Sequence, residues 1–288
     1  MTESSVVVRE AMPEDAAECG RICYAAFSTI NARHGFPCDF PGPEAAVGLM
    51  SMMFSAPGIY CVVAETDGKI VGSNCMDVRA AVHGVGPITV DPGLQNRGAG
   101  RALMCAVIEH SAQLGAAGVR LVQAAFHSRS LSLYASLGFE VREPLSCMQG
   151  RTRDRGGAGC EVRAAAAADL DACNALSHRV HGFDRGAELA GAIQLGTAVV
   201  VERGGRITGY SSHLGFFGHT TAETNADLQA MIAAADELAG SGILVPSRNS
   251  GLFHWCLQQG LRVVQPMTLM STGLYSEPAG AWLPSVIY

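Results

Sequence analysis

An internal repeat constrains the fold of this chain more than any other feature. Residues 162–173 (VRAAAAADLDAC) match residues 8–19 (VREAMPEDAAEC), with the valine, arginine, aspartate and cysteine in register. Two further matches pair residues 199–210 with 62–73 and residues 249–270 with 127–148. Because the three blocks recur in the same order, a tandem duplication explains them best, and two copies of one fold are expected.

The length agrees with two domains. The 288 residues are 48% apolar and 16% charged, a balance typical of packed globular proteins. Residues 151–160 (RTRDRGGAGC) are polar, rich in glycine and without periodicity, as in a linker. We therefore predict one domain over residues 1–150 and a second over residues 161–288, joined by residues 151–160.

Charge and cysteine usage exclude several classes of protein. Twenty basic and 26 acidic residues give a net charge of −6, which argues against nucleic acid as a partner. The ten cysteines form no C-x-x-C pair, so neither a disulfide framework nor a structural zinc site is expected. An acidic N-terminus and the absence of a long apolar run predict a cytoplasmic protein without a membrane partner. The sequence does not indicate the oligomeric state.

The apolar pattern of the first half predicts a mixed sheet covered by helices. Strands are expected over residues 5–10, 58–65, 69–80, 84–90, 119–125 and 139–148, and helices from Pro13 to about Phe27, over 98–113 and over 128–136. The segment 88–111 carries the clearest chemistry, because a strand ending at Val90 leads through a loop with Gly98 and Gly100 into an amphipathic helix. Glycine lets a phosphate approach backbone N–H groups, and a helix N-terminus attracts anions, so this loop predicts an anion cradle.

The residues around this loop resemble those of a known family. Gln95-Asn96-Arg97-Gly98-Ala99-Gly100 follows a strand ending in V-D-P, and Ser130-Leu131-Ser132-Leu133-Tyr134 with Gly138-Phe139 comes later. In this combination residues 5–150 resemble the GNAT superfamily of acyl-CoA-dependent N-acetyltransferases. The resemblance implies an α/β fold of two tandem GNAT-like domains, each a central mixed β-sheet flanked by helices. It also implies acetyl-CoA as co-substrate, with no metal.

The resemblance assigns cofactor contacts residue by residue. The CoA pyrophosphate is expected at Gln95, Asn96, Arg97, Gly98, Ala99, Gly100 and Arg101. The backbone of Ile88 and Val90 is expected to pair with the pantetheine arm, with one strand N–H facing the thioester carbonyl. Pro87, preceded by Gly86, fits the splayed strand of such an enzyme. His127 stands where the family most often has asparagine and is expected to contact the same arm.

The catalytic residues are less well defined. Tyr134 aligns with the family's tyrosine that protonates the departing thiolate, although an aromatic packed beside Leu131 and Leu133 would give the same pattern. The attacking amine must lose a proton. His83 is the first candidate for the general base, and Asp77, Asp91 and a relay of water stay open.

The second half lacks this machinery. Residues 215–223 (GFFGHTTAE) stand where the first half has its cofactor loop, and Cys256 aligns with Tyr134. Residues 161–288 are therefore expected to form a degenerate GNAT-like domain that serves as a wall of the acceptor pocket. That wall is predicted from Phe216, Phe217, His219, His181 and Trp255. The spacing of His178, His181 and Asp184 resembles a metal site, but a polar surface is the favoured interpretation and no metal is expected.

These observations predict an acyltransferase that moves acetyl from acetyl-CoA to a primary amine of a small molecule or peptide, by direct attack in a ternary complex. An acyl-CoA-binding sensor or regulatory protein without turnover is the alternative, because it would keep the loop and need no base. A purely structural pseudoenzyme would not need the intact QNRGAG loop.

Overall fold

The two halves of the chain follow the same order of elements. The computed structural model describes residues 5–153 and 159–287, so residues 154–158 of the predicted linker lie outside the described residues. The first half holds β1 (Val7–Glu10), α1 (Ala16–His34), α2 (Pro43–Ser55), β2 (Ile59–Thr66), β3 (Lys69–Asp77), β4 (Val82–Val90), α3 (Ala99–Gln113), β5 (Gly118–Ala124), α4 (Ser128–Ser136) and β6 (Glu140–Gln149).

The second half repeats this series with shorter elements. It holds β7 (Glu161–Ala164), α5 (Leu170–His181), α6 (Gly186–Gln194), β8 (Val199–Arg203), β9 (Arg206–Ser211), β10 (Thr220–Ala222), α7 (Asn225–Ala234), β11 (Ile243–Pro246), α8 (Ser250–Gln258), β12 (Arg262–Gly273) and β13 (Ala281–Leu283). Each half also has a short 3-10 turn before its first helix, at Pro13–Asp15 and Ala167–Asp169.

A pair of ion-pair networks at equivalent positions supports the duplication. In the first half the Arg9 guanidinium donates to Asp15 at 2.7 Å and also pairs with Glu65 on β2. In the second half Arg163 donates to Asp169, again at 2.7 Å, and also pairs with Glu202. The two aspartates accept further hydrogen bonds from backbone N–H groups that open the 3-10 turns. The same side chains thus fasten the first strand to the first helix in both copies.

The sheets do not divide where the chain does. One sheet has eight strands in the order β1-β2-β3-β4-β5-β12-β6-β11, and the other has five in the order β13-β10-β9-β8-β7. Strand β12 of the second half lies between β5 and β6 of the first and is antiparallel to both. Reciprocally, β6 of the first half lies between β12 and β11 of the second.

This exchange makes each half supply a strand to the other. The mixed α/β fold with two related copies is confirmed, and the shared sheet places β12 of the second half along the edge of β5 that faces away from β4. The boundaries at residues 150 and 161 stay a prediction.

Helix α1 is longer than its apolar periodicity indicates. The periodic positions end near Phe27, whereas the helix continues to His34 and ends at Gly35 with a left-handed φ of 72°. The additional turns do not pack entirely against the core, because they line a cavity with Thr29, Ile30 and Asn31. The apolar period therefore does not continue through them. Within the described ranges, no helix combines the length and apolar character needed to span a bilayer.

Candidate active site

A wedge between two neighbouring strands creates the main cavity. Strands β4 and β5 run parallel and pair from Val82 opposite Gly118 to Val85 opposite Leu121, and beyond that point they separate. Gly86 and Pro87 come next on β4. The pair forms a bulge opposite Cys75 of β3, with a Gly86 φ of 150°, a conformation largely restricted to glycine. The splay that the sequence predicts at this dipeptide is present, and a cavity of about 890 Å³ opens in it.

The N-terminus of α3 forms one end of the cavity. Gly98 precedes the helix with a φ of 90°, and a Cβ built on it would meet no atom within 4 Å. The first turn of α3 carries no acidic residue, and Gly98 offers no side chain to cap it. Because the first N–H groups of a helix have no intrahelical partner, this end presents open donors and a partial positive charge.

Two arginines add positive charge at the same end. Arg101 donates to the Ser136 hydroxyl at 2.6 Å, and Arg129 donates to the side-chain carbonyl of Gln95. The Gln95 amide in turn donates to the Val90 carbonyl at 3.1 Å, which ties the loop to the end of β4. Free helix N–H groups, guanidinium groups and a glycine without steric contacts fit a diphosphate such as that of CoA.

Tyr134 lies deeper in the same cavity. Its side chain is only 6% exposed and packs with Leu121 and Phe139 in the core beneath α3. Burial raises the pKa of the Tyr134 hydroxyl to about 12, and a hydrogen bond with Ser130 opposes that shift. The hydroxyl therefore stays protonated and can donate throughout the neutral range.

The imidazole of His127, directly before α4, is neutral. Its Nδ1 lies 2.7 Å from the Ser130 hydroxyl. Burial first, and then the charge of Arg129, lowers the pKa of His127 to about 4. At neutral pH the ring therefore adds no charge and can exchange hydrogen bonds with a neutral amide.

The structure brings most of the predicted cofactor residues together. Ile88, Val90, Gln95, Asn96, Gly98, Ala99, Gly100, Arg101, His127 and Tyr134 all line the cavity. Arg97 does not line it, because its exposed side chain lies on the outer side of the loop.

The three candidate bases do not face the cavity. His83 is buried against α3, with Nδ1 2.9 Å from the Ser111 hydroxyl. Asp77 is paired with Arg79 at 2.5 Å, and Asp91 accepts from the Gly93 N–H at 2.8 Å. The structure thus corrects the placement of His83 beside the acceptor, and we assign it no part in proton transfer.

The second half does reach the cavity, through part of the predicted wall. Phe216 and Phe217 line it, together with Met267 of β12. His181 and His219 do not, because both point to the hydroxyl of buried Thr221, at 3.2 and 2.7 Å. Trp255 packs against the second-half core instead.

The cavity also contains polar residues that the sequence did not predict as site residues. Asp39, in the segment between α1 and α2, is the one carboxylate among the described lining residues. Gln123 of β5 and Gln265 of β12 are almost fully buried and also face the cavity. Nothing in the neighbouring sequence marks these residues as site residues. They reach the cavity because β4 and β5 separate and because β12 joins the sheet of the first half.

The position equivalent to the cofactor loop is closed in the second half. Thr224 caps α7 by accepting from the Asp227 N–H, and the Asp227 carboxylate occupies the first turn. Arg203 pairs with that carboxylate at 3.2 Å. Strand β10 is the second-half equivalent of β4. Its edge that corresponds to the open edge of β4 is occupied, because β13 pairs with it. An anion would meet a buried carboxylate here instead of free N–H groups.

Comparisons with known proteins agree with this geometry. Residues 57–141 match the family model described as an acetyltransferase (GNAT) domain. A mycothiol acetyltransferase of Renibacterium salmoninarum is 31% identical over 125 residues, which cover 40% of this chain and 37% of that protein. The matched segment thus spans little more than a third of this curated relative.

Two solved structures share the fold over nearly the whole chain. A candidate acetyltransferase from Pyrococcus horikoshii superimposes with a TM-score of 0.71 at 18% identity, covering 100% of this chain and 94% of its own. A tandem GNAT protein from the clavulanic acid biosynthesis pathway gives a TM-score of 0.56 at 15% identity, covering 98% of this chain and 100% of its own. At these identities the likeness concerns the fold alone.

Proposed function

We propose that this chain is an acetyltransferase of the GNAT type, which transfers acetyl from acetyl-CoA to a primary amine of a small molecule or peptide. The match of residues 57–141 to the GNAT domain model supports this proposal, as does the fold shared with a tandem GNAT protein. The observation that carries this proposal is the single cavity that joins the uncapped N-terminus of α3 to the Tyr134 hydroxyl through the splay of β4 and β5. A diphosphate at one end and a thioester beside the tyrosine would suit that arrangement.

The chain's own residues suggest how acetyl-CoA would be held. The N–H groups at the start of α3 would bind the pyrophosphate, with Arg101 and Arg129 offsetting its charge. The unpaired edge of β4 from Ile88 to Val90 would align the pantetheine arm, because β5 has left that edge free. Acetyl-CoA supplies an acyl group that is activated as a thioester.

The ammonium first loses one proton to solvent, because only the neutral amine can attack. The amine nitrogen then forms a bond to the acetyl carbon, the carbon–sulfur bond breaks, and the second proton that the nitrogen loses passes through water to the thiolate. A β4 N–H would stabilise the developing oxyanion. The Tyr134 pKa of about 12 lies above the ~8.5 of an ordinary thiol, so we propose that its hydroxyl acts mainly by donating a hydrogen bond to the departing sulfur. Water completes protonation of the thiolate.

Thiol release across a panel of primary amines tests the proposal. We expect release of free CoA only when acetyl-CoA and a suitable amine are both present, with N-acetylated product in equal amount. The panel should include amino acids, diamines, aminoglycosides and peptide N-termini. Tight acetyl-CoA binding without thiol release for every amine would contradict turnover and favour the sensor alternative.

The closed second-half site leads to a separate prediction on stoichiometry. We expect calorimetric titration with acetyl-CoA to give one binding site per chain, because the Thr224 cap and the Asp227 carboxylate occupy the N-terminus of α7. Protein concentration should be fixed by amino-acid analysis, so that one site can be told from two. A stoichiometry of two would contradict the proposal that residues 161–288 have lost cofactor binding.

A further inference from the structure

The acceptor side of the cavity contains an isolated negative charge. Asp39 is half-buried, and its Oδ2 accepts from the Asn31 amide at 3.0 Å. Its Oδ1 accepts from the Gln265 amide at 3.0 Å and from the Ser241 hydroxyl at 3.4 Å. All three donors are neutral, and no ion pair to Asp39 is found among the described residues. The three donors orient the carboxylate without neutralising it, so its charge stays available to a cation that enters the cavity.

A second polar atom beside Asp39 also lacks a partner. Gln265 is 2% exposed and uses its amide nitrogen to hold Asp39, while its Oε1 has no hydrogen-bond partner in the described structure. Gln123, 6% exposed, has neither its oxygen nor its nitrogen satisfied. Gln265 therefore holds the Asp39 carboxylate through its amide nitrogen, while its amide oxygen is enclosed by protein.

Apolar side chains surround this polar group. Phe27 and Phe40 contact each other edge to face at 5.7 Å between ring centroids, and both line the cavity with Phe216 and Met267. They offer an apolar passage suited to an alkyl chain or a ring face. Arg101 and Arg129 lie near the N-terminus of α3, and Arg33, which also lines the cavity, acts on His127. Asp39 is the one negative side chain among the described lining residues.

We propose that Asp39, held in place by Gln265 and Ser241, forms a cation subsite, which selects acceptors with a second positive group several atoms from the reacting amine. This inference rests on the proposed function. The reacting amine would lie near Tyr134, while a distal ammonium would donate to the Asp39 carboxylate. Ser241 and Gln265 both belong to the second half, so the degenerate copy holds the specificity-determining carboxylate in place.

Three five-carbon amines provide the test: pentane-1,5-diamine, 1-aminopentane and 5-aminopentanoate. We expect the wild-type chain to acetylate the diamine with a kcat/KM at least about tenfold above the monoamine, because hydrogen bonds to charged groups contribute at that level. The aminopentanoate should be the poorest, because its carboxylate meets Asp39. Asp39→Asn should reduce the preference for the diamine to about twofold or less, with acetyl-CoA affinity unchanged.

Two further variants complete the design. Gln265→Met removes a hydrogen bond that holds Asp39 without changing charge, and it should lower the diamine preference by a smaller factor. Asp171→Asn makes the same charge change at an exposed position of α5 and should leave the preference intact. Only a role in charge recognition changes the ratio between matched amines, since a loss of folding would lower all rates together.

The outcomes distinguish failure of the cation subsite from failure of the proposed acetyltransferase activity. Equal acetylation of diamine and monoamine by the wild-type chain, or an unchanged preference in Asp39→Asn, would overturn the cation subsite and leave the acetyltransferase proposal standing. Absence of acetyl-CoA binding, or of thiol release with every amine, would contradict the proposed function, and the subsite with it.

Discussion

The Gly98→Glu variant is expected to lose acetyl-CoA affinity by about 100-fold or more. Gly98 stands directly before α3 with a φ of 90°, and nothing lies within 4 Å of a Cβ at this position. The new side chain would therefore extend into the space that we assign to the pyrophosphate. Like charges placed together in an interface cost several kcal/mol, and about 1.4 kcal/mol corresponds to a tenfold change in Kd. Calorimetric titration with acetyl-CoA measures the effect.

A matched control separates this repulsion from backbone strain. Gly196 follows α6 with a φ of 71°, is exposed and has equally open surroundings, so Gly196→Glu imposes the same change away from the cavity. Both variants should lose a similar ~1–2 kcal/mol of folding stability, because left-handed backbone disfavours any side chain. Only Gly98→Glu should lose the ligand. Unchanged acetyl-CoA affinity in a folded Gly98→Glu protein would contradict the assignment of the loop.

Local features of the sequence predicted the helices around the glycine loop well. The helix predicted over residues 128–136 coincides with α4, and α3 begins one residue after its predicted start at Gly98. These elements depend on nearby glycines and on a 3.6-residue apolar period, which neighbouring residues determine. The loop geometry follows from the same short segment, so most of the predicted cofactor residues meet in one cavity.

The bulge in β4 determines which way His83 points. Side chains alternate along a regular strand, so without a bulge His83 would lie on the face opposite Ile88 and Val90. The bulge at Gly86 and Pro87 adds one residue to β4 and reverses the alternation. As a result Val85 packs in the same core cluster as Ile88 and Val90, and His83 faces α3 as well.

Asp39 could not be found from the sequence for a different reason. Its partners Ser241 and Gln265 are more than 200 positions away along the chain, on the loop before β11 and on the exchanged strand β12. Apolar periodicity predicts that a strand exists, but not which strand it joins. The duplication predicts two similar sheets, and only the assembled fold reveals that β12 completes the sheet of the first half.

The strand exchange also explains why a copy without a cofactor loop can be retained. Removing β12 would expose the edge of β5 and take away Met267 and Gln265, two residues of the cavity wall. The two halves are therefore coupled by backbone hydrogen bonds as well as by packing. We infer that the first half cannot form its acceptor site alone.

Replacing Tyr134 by phenylalanine is expected to lower kcat by about 10- to 100-fold and to leave acetyl-CoA affinity within about twofold. The hydroxyl is buried, and its pKa of about 12 exceeds that of a thiol, so the contribution that we propose for it is a hydrogen bond to the developing thiolate. Hydrogen bonds to charged groups contribute about 1.5–3 kcal/mol, which corresponds to that loss in rate. An interaction made only in the transition state affects kcat and not substrate binding.

The pH dependence and a matched control make this prediction specific. Since the pKa of Tyr134 is about 12, the hydroxyl remains protonated well above neutrality, and the ratio of wild-type to Tyr134→Phe kcat should stay constant from pH 7 to about pH 10. Tyr60→Phe removes a hydroxyl from a ring that stacks on His110 outside the cavity, and it should leave kcat unchanged. If Tyr134→Phe instead loses folding stability at full kcat, then Tyr134 is a packing residue, and the thiolate must leave with water as its only hydrogen-bond donor.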